Sequence, residues 1–141
     1  MVKDVILSHS FQPELILNTG SNRRITGGPL YAVSDVVAVS SAQTLRVATR
    51  KAVSNIRELP LSYEELAQLI QRAVQGGRYR NSEWCELGRT DTTVSWAACD
   101  AYTLKEDEWS EAAGKYFSIE YYLKFAIGKT GLMLLVVSCH L

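Results

Sequence analysis

The clearest alternation of apolar and polar positions lies in residues 117–127. Phe117, Ile119, Tyr121, Leu123, Phe125 and Ile127 hold the odd positions; Ser118, Glu120, Tyr122, Lys124 and Ala126 hold the even ones. A period of two predicts a strand with one face on a core and the other toward water or a ligand. The run LMLLVVSCHL over 132–140 and beyond is apolar on both sides until Ser138 and His140, as a central strand reads. Residues 82–88 and 92–104 are further strand segments, and Gly88, Asp91, Gly114, Gly128 and Gly131 punctuate the set. Residues 2–9 read as a short strand.

The first half of the chain changes period. Leu66, Leu69, Ile70, Ala73 and Val74 form one stripe at helical spacing over 63–75. Ser62 and Glu65 fit a capping box, Leu61 and Leu66 a hydrophobic staple, and Gly76-Gly77 a left-handed stop. A second helix over 49–59 is opened by Thr49, carries Val53, Ile56 and Leu59 on one face, and ends at Pro60. Residues 31–42 read as a short helix capped around Ser34-Asp35. Residues 18–30, rich in Gly, Asn and Pro, read as a surface loop carrying Arg23 and Arg24. The sum is one α+β domain over 1–141: a C-terminal antiparallel β-meander with two to three helices packed on it.

Register decides what the polar ends can do. An even link near Gly128–Gly131 places Ser138 and His140 on the apolar face. An odd link pairs Tyr122 with Ser138 and Glu120 with His140. The second avoids burying polar groups without partners and gathers Glu120, Tyr122, Lys124, Ser138 and His140 on one face.

Composition narrows the classes. Fifteen basic and fifteen acidic residues give zero net charge, so bulk charge announces no nucleic-acid binder, although a local cluster can serve. No apolar run spans a bilayer, and Asp4 interrupts the apolar N-terminal stretch, which reads as no signal peptide. Cys85, Cys99 and Cys139 lack metal-ligand spacing and read as reduced thiols of a cytoplasmic protein. The alternative is a catalytic cysteine served by His140, but neighbouring Cys139 and His140 point to opposite strand faces. There is no phosphate loop, metal-binding pair or Ser-His-Asp signature, so no cofactor or metal is expected.

The polar end of the sheet holds the parts for acid–base chemistry. An imidazole exchanges protons near neutrality, Glu120 is placed to orient His140, and Lys124 is a cation for a phosphate. Arg78-Tyr79-Arg80 supplies guanidinium groups and a ring to stack on a base, with Arg72 and Arg89 nearby in sequence. Arg46, Arg50 and Lys51 surround the second helix start as a further phosphate-binding candidate. His9, the remaining histidine, reads as structural.

Read in order, RVATRKAVSNIRELPLSYEELAQLI from Arg46, then RYRNSEW, VSWAACDAY, YYLKFAI and LLVVSCHL resemble the MqsR-type toxins of toxin–antitoxin pairs. The resemblance covers roughly residues 33–140 and implies a RelE-like fold and an mRNA-cleaving activity. It places Arg80 where that family has a lysine after tyrosine. Tyr122 and Lys124 match its Tyr-x-Lys strand, and His140 stands at its C-terminal lysine. The family's Trp-Gln is Trp96-Ala97 here, one residue is added before Asp100, and the last hairpin is longer.

These readings assign His140, Tyr122, Arg80 and Lys124 to catalysis of RNA cleavage. Arg78, Tyr79, Arg46, Arg50 and Lys51 are assigned to RNA binding, with an antitoxin protein as partner. The alternative is a non-catalytic binding module of accessory, antitoxin or immunity type. A third reading is a homodimer joined at a strand edge, with Trp84 and Trp109 as anchors; core burial is the expectation for both tryptophans.

Overall fold

The alternating segments of the second half form the middle of a seven-stranded sheet in a computed structural model that describes residues 2–9 and 23–141. Its strands are β1 (Lys3–Ile6), β2 (Arg24–Ile25), β3 (Leu45–Val47), β4 (Arg78–Arg89), β5 (Thr93–Ser110), β6 (Lys115–Ile127) and β7 (Leu134–His140). The helices among the described residues are α1 (Val33–Ala38), α2 (Arg50–Glu58) and α3 (Tyr63–Gly76). The sheet runs β2-β4-β5-β6-β7-β3, with β1 also on β5. Pairing is antiparallel except β1 on β5 and β3 on β7. The fold is therefore mixed α+β, with a mostly antiparallel sheet that joins the four strands of the second half to β1, expected as a strand over 2–9, and to two short strands not expected, β2 and β3. Among the described residues no helix is long and apolar enough to cross a membrane.

The helix ends follow their sequence signals with two exceptions. The Ser62 hydroxyl accepts from Glu65 N at 3.1 Å, and the Glu65 carboxylate accepts from Ser62 N at 3.0 Å. Ser62 holds Glu65 below the usual carboxylate range through these bonds. Leu66, Leu69, Ile70, Ala73 and Val74 are all buried. Thr49 caps α2 through Ala52 N at 3.0 Å. Its hydroxyl also donates to Val137 O at 2.7 Å, tying the helix to β7. The deepest side chains of α2 are Ala52 and Asn55, with Ile56 and Leu59 only partly covered, because the helix lies along the β7 edge, where Asn55 Oδ1 accepts from Cys139 N at 3.0 Å.

The exceptions are local. The N-cap of α1 is Ala32, so Asp35 sits inside the first turn rather than at the cap. Gly77 is extended, at φ −84°, instead of left-handed; the glycine serves close approach, since a Cβ there would meet Ala73 O at 2.6 Å and Thr103 O at 2.7 Å.

The loop expected at 18–30 falls partly outside the described residues. Within it, Arg24–Ile25 pairs with β4 because Ile25 buries beside Trp84 and Trp96. Strands β4, β5 and β6 are longer than their apolar runs. Leu104–Ser110 and Lys115–Tyr121 continue as a two-stranded ribbon past the ends of β4 and β7. Leu104 and Tyr121 at its base belong to the core, and charged side chains are tolerated beyond them because the ribbon there meets water. Trp109 lies on this ribbon, 51% exposed and edge-on to Tyr116 at 5.1 Å, so it is not a core residue, whereas Trp84 is.

One sheet face, carrying Tyr102, Leu123, Phe125, Val136 and Leu134, packs with helix residues Leu66 and Ile70 into the main core. The Asp100 carboxylate is buried on that face. It accepts from Leu30 N at 2.9 Å, Tyr31 N at 3.1 Å and the Ser82 hydroxyl at 2.6 Å. Burial pushes Asp100 up, and these donors oppose the shift without cancelling it.

Candidate functional site

The opposite face gathers the polar groups, through a device absent from the residue pattern. The link from β6 to β7 spans residues 128–133, an even number. Counting from Ile127 opposite Leu134, that parity alone would set Tyr122 against Cys139. The register instead shifts by one between Lys124 and Phe125, where β7 carries Val137 as an extra residue. Such a bulge reverses which side the following residues face. Tyr122 therefore stands opposite His140, and Lys124 opposite Ser138. The five residues expected on one face share it, in a register two residues from the one anticipated.

Cross-strand neighbours extend this face to β4. Thr103 pairs with Tyr122, Ala101 with Lys124, and Lys105 with Glu120. Beyond them Arg78 pairs with Thr103, Asn81 with Ala101, Glu83 with Cys99 and Cys85 with Ala97. A second irregularity, between Tyr79 and Asn81, leaves Arg80 as the extra residue, and its Nε donates to Thr103 Oγ1 at 2.9 Å. One row thus crosses the sheet: Arg80, Thr103, Tyr122, His140. Alanines 97, 101 and 126 with Cys99 form a fully buried floor. The larger side chains of Glu83, Lys124, Tyr122 and His140 rise around it.

Within the row, the Tyr122 and His140 rings stack with centroids 4.9 Å apart and planes at 21°. His140 Nδ1 lies 3.0 Å from Leu141 O. With the proton on Nδ1, the ring donates to that carbonyl and Nε2 presents its lone pair outward. Glu120 does not orient the imidazole: β7 ends its pairing at Tyr122–His140, so the station opposite Glu120 is empty on that side. Lys124 Nζ lies 5.8 Å from the Tyr122 ring centroid and forms an ion pair with Glu83. Burial works against its charge, but the bond to Glu83, together with Cys85 and Tyr122, outweighs burial and holds Lys124 above the ordinary lysine value.

The remaining assignments divide. Arg78, Arg80, Thr103, Lys105 and Glu120 line a groove of about 300 Å³ beside Gly76-Gly77. Arg78 and Arg80 belong to a strand rather than to a loop. Tyr79 is turned to the helix face, where its hydroxyl bonds Ser82 Oγ at 2.7 Å and its ring meets Tyr102 edge-on at 5.7 Å. It is half-buried against the core, because strand alternation turns it away from Arg78 and Arg80. Arg46 stands opposite Leu135, which stands opposite Ala126, so register places it on the polar face at the far edge. Arg50 and Lys51 are exposed in the first turn of α2, and among the described residues neither makes a hydrogen bond or ion pair. His9 is exposed, with Nδ1 3.2 Å from Lys129 O. Cys139 is buried on the helix face, and burial pushes its thiol up to about 11.

Sequence reasoning missed Glu83, Thr103 and Arg24, the last standing opposite Glu83 on β2. The available signal was the small-residue alternation Ala97, Cys99, Ala101, Thr103, which marks a shallow strand face. Among the described residues no group of three or more His, Cys, Asp or Glu is placed to hold a metal ion. No known protein family, curated protein or solved structure matches the chain.

Proposed function

We propose that this polar face binds and cleaves single-stranded RNA, in the manner of a small toxin-type endoribonuclease with a RelE-like sheet. The observation that carries the reading is the single row joining Arg80, through Thr103, to the stacked Tyr122–His140 pair. Strands in a sheet are about 5 Å apart, so the row spans a few strand spacings, a length that suits one phosphodiester and its flanking sugar. His140 Nε2 removes the 2′-hydroxyl proton, and the resulting oxygen attacks the adjacent phosphorus. Arg80 neutralises the phosphorane oxygens, and the Tyr122 hydroxyl protonates the departing 5′ oxygen. The products are a 2′,3′-cyclic phosphate and a 5′-hydroxyl. Arg24 and Arg46, on the same face near its two edges, attract the flanking phosphates. An RNA-cutting protein of this kind is held in check in the cytoplasm by a neutralising partner protein.

A binding surface without catalysis is the second reading. Its support is the Glu83–Lys124 pair, which commits the lysine charge, together with the fact that among the described residues no Asp or Glu side chain bonds His140. One experiment separates the two. Purified protein is incubated with a defined single-stranded RNA, with and without a chelator, beside His140→Ala. The enzyme reading expects cleavage that survives the chelator and falls at least about 100-fold in the variant, with RNA affinity kept. Cleavage by His140→Ala at the wild-type rate overturns it, and tight binding without cleavage by either protein favours the binding surface.

A further inference from the structure

Two thiols on the polar face face each other. Register puts Cys85 opposite Ala97 and Cys99 opposite Glu83, so the cysteines are diagonal neighbours on one side of the β4–β5 ladder. Each leans along its own strand toward the other's station. Cys99 Sγ is 3.6 Å from Ala97 O, and Cys85 Sγ is 3.9 Å from Glu83 O. Both sulfurs are therefore directed into the gap between the two rungs. Cys85 is half-buried, and Cys99 is fully buried behind it. Diagonal stations lie about 7 Å apart at Cα, near the upper limit that a disulfide spans. The irregular register from Glu86 to Gly88, directly after Cys85, gives β4 the slack to close that gap.

We propose that Cys85 and Cys99 form a hydroperoxide-reactive dithiol, Cys85 being the attacked sulfur and Cys99 the resolving one. The surroundings divide the roles. The neighbouring Cys99 thiol holds Cys85 below the ordinary thiol value; burial opposes this, and Lys124 adds to it. Burial pushes Cys99 well above its ordinary value, and so does the neighbouring Cys85. A half-exposed thiol beside a cation is the reactive kind, and a buried one without such help is not. In the first step the Cys85 thiolate attacks one peroxide oxygen. The O–O bond breaks, Cys85 becomes a sulfenic acid, and the alkoxide or hydroxide released takes a proton from water. In the second step the Cys99 sulfur attacks the sulfenic sulfur, the S–S bond forms, and the hydroxyl leaves as water with the Cys99 proton. Two thiols are oxidised by two electrons and one peroxide is reduced.

The test uses the whole protein and hydrogen peroxide, followed by alkylation under denaturing conditions and peptide mass spectrometry. The expected result is a Cys85–Cys99 linked peptide, with Cys139 recovered alkylated. Cys99→Ser should accumulate a Cys85 adduct with dimedone, and Cys85→Ser should leave Cys99 reduced. Before oxidation, iodoacetamide should label Cys85 roughly tenfold faster than Cys139 in the native protein. Failure to find the linked peptide in the wild-type protein overturns the proposal, independently of how either variant folds. Oxidation of Cys139 as fast as Cys85 overturns it equally.

Discussion

The two faces of this sheet use polar groups in opposite ways. On the helix face, Asp100 accepts from two backbone amides and a hydroxyl, and Tyr31 donates to Ala98 O. The Asp100 oxygens and the Tyr31 hydroxyl are fixed by partners drawn from distant segments, and so hold the 28–31 stretch against β5. On the other face, Arg80 meets Thr103, Lys124 meets Glu83, and His140 meets Tyr122 and Leu141 O. These groups have few partners, lie partly exposed, and keep donors or lone pairs unspent. Buried polar groups must be satisfied to be tolerated, whereas half-exposed ones can keep capacity for a ligand. The same two-residue alternation thus builds an anchor on one side and reactive potential on the other.

The contrast is tested most severely in the core. Phe125 is fully buried and stacked on Tyr102 at 5.9 Å. Phe125→Ala should cost about 3–5 kcal/mol of unfolding free energy, read from urea denaturation. Asp100→Asn removes one acceptor oxygen and aims an amide N–H₂ at groups that are themselves donors. The expected cost is about 2–3 kcal/mol. Its pH dependence is specific. Because burial raises Asp100 from 3.8, the native state binds that proton more tightly than the unfolded chain. This contribution favours folding in full below 3.8 and is lost as pH rises through the folded value. The wild-type advantage over Asp100→Asn should therefore shrink on going from acid to neutral pH; an advantage that grows instead would show that the three donors outweigh burial and hold the ionised form.

Residue pattern and structure agree where the determining interactions are local. The ends of α3 follow from Ser62, Glu65 and the stripe Leu66 to Val74, all within a few turns of one another. The parity of residues 117–127 is likewise a property of one segment. What escaped the pattern depends on pairs of segments. Neither the bulge at Val137 nor that at Arg80 alters the apolar–polar rhythm, yet each reverses a face. The first moves His140 from the Tyr121 station to Tyr122 and onto the polar face; the second keeps Asn81 on the polar face with Arg78, although alternation alone would turn it toward the helices. The Glu83–Lys124 pair is invisible for the same reason, its members being 41 residues apart. The β5 half of the ribbon, residues 105–110, fell outside the expected strands because its charges read as unburied, and strands standing clear of a core need not be buried.

The Glu83–Lys124 pair gives an intermediate test, because its side chains are only 27% and 15% exposed. Lys124→Met should cost about 1–2 kcal/mol by leaving the Glu83 carboxylate half-buried without its cation. Adding Glu83→Gln should recover most of that loss, to within about 1 kcal/mol of wild type, because the pair is then replaced as a unit. If the double variant is as unstable as the sum of the single ones, Lys124 stabilises the sheet by its packing rather than through Glu83.

The smallest effect on stability should come from the residue on which the proposed cleavage depends most. His140 is half-exposed at the end of β7, and what its ring adds to the fold is one stacking contact and one bond to Leu141 O. A partly exposed stacked pair is worth roughly 0.5–1 kcal/mol, and water replaces the lost hydrogen bond. His140→Ala should thus lower the unfolding free energy read from urea denaturation by less than about 1 kcal/mol while the proposed cleavage is lost. A residue that costs little to remove from the fold and much from the activity belongs to a site, and one that costs both belongs to the scaffold. Should His140→Ala unfold the protein as readily as Phe125→Ala, the Tyr122–His140 stack would be part of the core, and the difference between the two faces would disappear.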